Sequence, residues 1–236
     1  MPTYFASDVH LRLDHPDRGV RFGRWIDTLR PEDALYLVGD LCDFWFAARQ
    51  RRADPRSCDG LRALADFSAR GGTATVLLGN HDGWLGPFYE RVFGAVLAPE
   101  PLEVVAGGLR LHLVHGHKVG ARPPWKGIME SRAFLAAFAR APGPAARLLN
   151  VRLDFVNELH RAETTLRHLR RYWGYANALS PAPDLAVFGH VHALVDDDSR
   201  TPRMVVLGSW HCGGSYLRVD DGGARLVVVP PDESEA

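Results

Sequence analysis

The N-terminal half of the chain alternates short apolar runs with longer stretches in which apolar residues recur every three or four positions. Short continuous or alternating runs read as strands, and the longer period reads as helices. This predicts strands over 3–7, 34–38, 73–78 and 109–114, and helices over 19–29, 58–70 and 87–93, the alternation of a βαβ fold. The texture changes after about residue 122. An Ala/Phe-rich helical stretch over 128–140 is ended by Pro142-Gly143-Pro144. Leu148, Val151, Phe155, Leu159, Ala162, Leu166, Leu169 and Trp173 then mark one face of a long helix. Strand character returns over 185–188, 204–207, 216–219 and 226–229. The expected class is α/β, with a core made of residues 1–121 and 179–236 and a helical insert at 122–178.

Charge sharpens that division. The 236 residues hold 28 Lys+Arg and 28 Asp+Glu, a formal net charge of zero. Zero balance argues against a dedicated nucleic-acid binder, and the insert lacks the interleaved aromatics of a base-stacking surface. Yet residues 118–173 carry 11 Lys/Arg against 4 acids, which leaves 17 against 24 elsewhere, so a basic helical insert sits on an acidic body. No apolar run approaches the roughly 18 residues of a membrane span. The first ten residues show neither the basic flank nor the apolar stretch of a secretory leader. Cys42, Cys58 and Cys212 are scattered, forming neither a disulfide framework nor a CxxC site. The expected location is cytoplasmic, with peripheral contact on the inner face of the cell membrane through the basic insert.

The candidate chemistry gathers where apolar runs end. In order come Asp8-Val9-His10, Gly39-Asp40, Gly79-Asn80-His81-Asp82, His115-Gly116-His117 and Gly189-His190-Val191-His192. Ligand sites in α/β sheets collect at the carboxyl ends of strands. In an extended segment Asp-x-His and His-x-His project both side chains to one side. Carboxylate, imidazole and amide together suit borderline divalent metals: Mn first, with Fe or Zn as the other candidates. Asp8, His10, Asp40, Asn80, His115, His190 and His192 make seven candidate ligands. Seven exceed one tetrahedral site and suit two ions sharing a bridging carboxylate.

At these residues the chain resembles the calcineurin-like metallophosphoesterase superfamily, whose D-x-H, GD, GN-H-[DE], H and GH-x-H blocks appear here in that order. The resemblance implies a β-sandwich of two mixed sheets flanked by helices around a two-metal centre. It places Asp8, His10, Asp40 and His192 on one metal and Asp40, Asn80, His115 and His190 on the other, with Asp40 bridging. His81 matches the family's histidine beside the phosphate, an acid or charge stabiliser, and Asp82 is expected to orient His81 or a ligand imidazole. Finer blocks narrow the likeness: Ser7-Asp8-Val9-His10-Leu11, Gly39 to Trp45, and Gly208-Ser209-Trp210-His211 through Leu217 look like the UDP-2,3-diacylglucosamine diphosphatases. Those enzymes release UMP and an acylated sugar 1-phosphate and carry a helical cap at the position of the 122–178 insert. The implied substrate is a nucleotide- or lipid-linked phosphate, met by Asn80, His81, His117, Lys118, Arg122, Trp125 and Lys126. Two positions depart from that subfamily: His117 replaces an Asp after His-Gly, and His81 stands where some members have Arg. A different nucleotide or lipid-linked phosphate is therefore the rival substrate.

Other residues read as structure first. Trp45, Trp84 and Trp210 are expected to pack beneath the loops, and Cys42 to be a small buried hydrophobe. His15, His112, His160 and His168 are expected on the surface or in structural roles, and His211 in a pocket wall.

Overall fold

The computed structural model of the chain describes residues 1–13, 15–43, 54–120, 161–211 and 213–230. Eleven strands and four α-helices lie among them: β1 Thr3–Ala6, α1 Pro16–Asp27, β2 Ala34–Val38, α2 Asp59–Ala69, β3 Thr73–Leu77, α3 Gly86–Phe93, β4 Val96–Ala98, β5 Leu102–Ala106, β6 Leu109–Val114, α4 Arg161–Asn177, β7 Leu185–Phe188, β8 Leu194–Asp197, β9 Arg203–Leu207, β10 Gly214–Asp220 and β11 Gly223–Val229. They build two mixed sheets, in the orders β11-β10-β1-β2-β3-β4 and β5-β6-β7-β9-β8. β1 to β4 run parallel, as do β6, β7 and β9, while the remaining neighbours pair antiparallel.

The strand alternation explains the layering, because successive side chains point to opposite faces. Phe5, Val38 and Leu77 meet Leu111, Leu113, Val187 and Val205 in the core between the two sheets. Leu35, Leu37, Ala74 and Val76 face the other way, against Phe22, Ile26, Leu61, Leu64 and Phe67 of α1 and α2. On the far side, Ala186, Phe188, Met204 and Val206 pack against Tyr172 and Ala176 of α4. The result is four layers: helices, sheet, sheet, helix.

The predicted elements among the described residues recur, three strands with the same bounds and the others with ends shifted by up to three residues, and α4 runs past Trp173 to Asn177. The helix expected over 128–140, and the part of the long helix before 161, lie outside the described residues, as do Trp45, Arg122, Trp125 and Lys126. Three strands went unpredicted: β4, β5 and β8. All are sheet edges, where only one neighbour strand and partial burial leave a weak apolar signal. Among the described residues no helix is long and apolar enough to cross a membrane.

Candidate metal centre

The parallel strands of both sheets deliver their carboxyl ends to one rim, and each ligand block lies there. Asp8 and His10 follow β1, Asp40 follows β2, Asn80 to Asp82 follow β3, His115 follows β6, and His190 and His192 follow β7. Backbone bonds knit these loops together: Asp8 N to Gly39 O (3.1 Å), His10 N to Asp40 O (3.0 Å) and Gly189 N to His115 O (3.1 Å). Two bonds cross between the sheets, His115 Nδ1 to Val38 O (2.9 Å) and His190 N to Asp8 Oδ2 (2.8 Å).

The loops are not extended where the ligand pairs sit. Among the described residues, the non-glycine residues with positive φ are Asp8 (53°), His10 (52°), Asp40 (54°), His190 (72°) and His192 (55°). The expectation that Asp-x-His and His-x-His act as extended strand ends is corrected here for Asp8/His10 and His190/His192, where both members of each pair sit at left-handed kinks. Each kink costs on the order of 1–3 kcal/mol, and such strain survives where surrounding structure enforces it. Two glycines make room. A Cβ at Gly79 would strike the Asp40 carboxylate, and one at Gly39 the His115 ring.

The donor atoms converge in overlapping groups, Asp8/His10/His192, His10/Asp40/His81 and Asp40/His115/His190. His10 Nε2 and His192 Nε2 are 3.0 Å apart, and Asp8 Oδ1 lies 3.7 Å from the first and 3.3 Å from the second. His115 Nε2 lies 3.2 Å from Asp40 Oδ2 and 3.3 Å from Asn80 Oδ1. Donors bound at about 2.0–2.2 Å to one ion stand about 3.0–3.6 Å apart; four of these five spacings fall in that range and the fifth, Asp8 to His10, is slightly longer. Asp8 Oδ1 is buried without a hydrogen bond although Oδ2 accepts from Ser7 Oγ (2.6 Å). A buried carboxylate oxygen with no donor and two imidazole nitrogens beside it has the surroundings of a metal ligand. Asp40 belongs to two of the three groups, one with His10 and His81 and one with His115 and His190.

Electrostatics point the same way. Burial opposes ionisation of Asp40, but His115, His81 and His10 outweigh it and hold the carboxyl well below its ordinary range. Burial likewise opposes charge on His10 and His115, yet the neighbouring carboxylates push both up to about 10. His190 and His192, where burial dominates, are pushed down instead. The buried carboxylates thus create a field that gathers cations.

A sequence profile for calcineurin-like phosphoesterase matches residues 1–194. The chain belongs to the calcineurin-like phosphoesterase family. Relatives named UDP-2,3-diacylglucosamine hydrolase match along its whole length. That of Edwardsiella ictaluri is 27% identical, covering 100% of this chain and 95% of the relative. Those of Chromobacterium violaceum and Pseudomonas aeruginosa are 29% and 27% identical, covering 97% and 98% of this chain and 99% and 100% of theirs. The protein is a metal-dependent phosphoester hydrolase, and its clustered His and Asp donors fit divalent ions.

Around this centre the predicted His81 and Asp82 meet partners, Asp43 and Tyr89, that were not named individually from the sequence. His81 donates its backbone N–H to Asp40 Oδ1 (2.8 Å), and its ring Nδ1 lies 2.6 Å from Asp43 Oδ1. Burial works against a charged His81, but Asp40 and Asp43 keep its pKa above the ordinary imidazole value. Asp82, expected to orient an imidazole, is fully buried and instead accepts from the amides of Leu41 (2.8 Å), Gly79 (2.8 Å) and Asp40 (3.3 Å) and from Tyr89 Oη (2.8 Å). Its carboxylate pins two ligand loops to each other. Burial and the nearby Asp40 raise its pKa to about 6. Asp43 was legible only as part of the Gly39–Trp45 block, and Tyr89 carried no signal of its own.

The His117 ring is largely buried beside His115 (ring centroids 5.2 Å) and lies 3.8 Å from Glu100 Oε2, which also meets the exposed Lys118 Nζ at 3.3 Å. Glu100 Oε1 accepts from Gly116 N (3.2 Å), so one carboxylate holds the whole 116–118 turn. His168, expected on the surface or in a structural role, packs on the ligand candidate His190 with centroids 5.6 Å apart. His112 matches the structural expectation, buried between Glu103 and Tyr175 Oη (3.0 Å).

Proposed function

We propose that this phosphoesterase cleaves the pyrophosphate bond of UDP-2,3-diacylglucosamine, giving UMP and 2,3-diacylglucosamine 1-phosphate. The observation that carries the reading is the convergence of Asp8, His10, Asp40, Asn80, His115, His190 and His192 at one rim, in a chain whose full-length relatives bear that substrate in their names. In this reading Asp8, His10, Asp40 and His192 hold one divalent ion, and Asp40, Asn80, His115 and His190 hold the other. Such a pair of ions, with manganese the proposed metal, supplies Lewis-acid polarisation of the phosphoryl oxygens and a means of activating water at neutral pH.

The chain's own groups do the rest. His81, aligned by Asp43 and with its pKa raised by the Asp40 and Asp43 carboxylates against the effect of burial, is the group proposed to place an N–H where charge builds on the phosphoryl oxygens. Asn80 adds an amide contact, and His117, Lys118, Arg122, Trp125 and Lys126 are the proposed contacts to the rest of the substrate. The insert at 122–178 is the proposed cap. Its return helix α4 shows exposed Leu166, Arg167 and Arg170, which with Arg171 line a cavity of about 450 Å³. A basic groove with an apolar edge suits an anionic amphiphile, and supports a cytoplasmic protein working against the inner face of the membrane.

The test pairs Mn²⁺-loaded protein with an Asp40→Ala control on UDP-2,3-diacylglucosamine in detergent, with products read by mass. UMP release from the first and not the second is expected. A second reading, a different nucleotide or lipid-linked phosphate, is favoured by His117 standing where the resembled diphosphatases have Asp. Cleavage of an aryl phosphodiester without UMP release would select it.

A further inference from the structure

The turn after β9 carries an imidazole that the chemistry above leaves unused. Trp210 is fully buried, its ring against Phe22 (5.1 Å) and Trp25 (5.3 Å), and its backbone N–H donates to Asp8 O (3.2 Å). Arg21 of α1 is also buried, and its Nη1 donates to Trp210 O (2.9 Å) and Gly213 O (3.2 Å). His211 stands between those two tethered carbonyls, so its backbone is fixed on both sides and tied to a ligand loop. Its ring lies 5.1 Å from His10 and 5.0 Å from His192. Nδ1 is 3.2 Å from Ser209 Oγ. In the tautomer in which the Ser209 hydroxyl donates to Nδ1, the proton sits on Nε2. His211 belongs to none of the three convergent donor groups, so it is placed beside an ion rather than on one.

A buried arginine fastening the carbonyls around a half-buried imidazole is more constraint than a pocket wall requires. We infer that His211 is a substrate-contacting residue whose Nε2–H hydrogen-bonds a phosphoryl oxygen at the Asp8–His10–His192 end of the site. The inference rests on the proposed ligand set and phosphoester chemistry, and is independent of the lipid-linked substrate. A neutral donor there complements His81, whose ring also lies beside His10 (4.8 Å), without adding charge at the proposed ion sites.

The experiment compares wild type, His211→Ala and His211→Gln, all Mn²⁺-loaded, in three measurements: Mn per chain, inhibition by inorganic phosphate, and kcat and KM on bis-p-nitrophenyl phosphate. The expected result for His211→Ala is full Mn content, about tenfold weaker inhibition by phosphate and a kcat lower by tenfold or more, as loss of a charge-assisted hydrogen bond implies. His211→Gln, which keeps a donor and fills the same space, should recover part of the phosphate affinity. Unchanged phosphate inhibition in His211→Ala at full Mn content would overturn the proposal and leave a packing residue. Loss of about one Mn per chain would overturn it too, making His211 a ligand. If wild type cleaves the aryl diester but releases no UMP from UDP-2,3-diacylglucosamine, the substrate reading falls while the His211 comparison still decides.

Discussion

Asp43 sits 2.6 Å from His81 Nδ1 and 3.8 Å from His10 Nδ1, so a single buried carboxylate aligns two imidazoles with different proposed duties. Burial opposes its ionisation, but His81 and His10 hold its carboxyl well below the ordinary range. Partners of this kind, one step behind a ligand, are worth about 10–100-fold in metal affinity or activity. Asp43→Asn preserves shape but weakens the acceptor, and is expected to lower kcat on an aryl phosphodiester by about that factor. Steady-state kinetics at a verified two Mn per chain check it; an unchanged kcat would show that the alignment is idle. The ligand types were legible at this scale because Asp, His and Asn beside Gly are distinctive in sequence. The partners were not, since Glu100, Tyr89 and Arg21 belong to no motif and matter only through the atoms they reach.

Helix α4 returns from the insert and docks on the second sheet, where Tyr172 stacks on Phe188 (centroids 4.4 Å, 11°) and its hydroxyl donates to Gly189 O (3.2 Å). Gly116 lies so close to that hydroxyl that a Cβ there would overlap it. One helical turn earlier, His168 covers His190. The helix therefore braces the two loops that carry His115 and His190. Tyr172→Phe is expected to cost about 1 kcal/mol, the value of one hydrogen bond. Tyr172→Ala, which also empties a packed site, should cost about 3–5 kcal/mol, as large aromatic truncations do. Urea unfolding of the Mn-loaded variants gives both numbers, and equal losses would mean the ring contributes nothing beyond its hydroxyl. Apolar periodicity located this helix readily. It could not say that His168 would face a ligand, because a helix face is assigned by what packs against it.

Across the whole molecule, the site exists only because two separately hydrogen-bonded sheets end at one rim, joined by His115 to Val38 O and His190 N to Asp8. Ions held by these loops would tie the two sheets together and so would stabilise the folded state. At free Mn²⁺ about 100 times Kd, each ion adds roughly 2.7 kcal/mol, and each kcal/mol moves Tm by about 2–4 °C in a domain of this size. Chelation with EDTA is expected to lower Tm by at least about 5 °C, with recovery on adding Mn²⁺; a Tm indifferent to both would argue against ions bound by these loops. The order of residues alone specified the kinds of donor, their succession and their placement at the ends of apolar runs, because turn chemistry and strand periodicity are local. It also determined the central strands, whose apolar residues face a core on both sides. Only the tertiary structure decided the left-handed kinks at Asp8, His10, Asp40, His190 and His192, since that strain persists only where bonds from neighbouring loops enforce it. The same holds for Asp82 as a clamp on backbone amides and for His211 beside His10: both follow from distances between strands far apart in the chain.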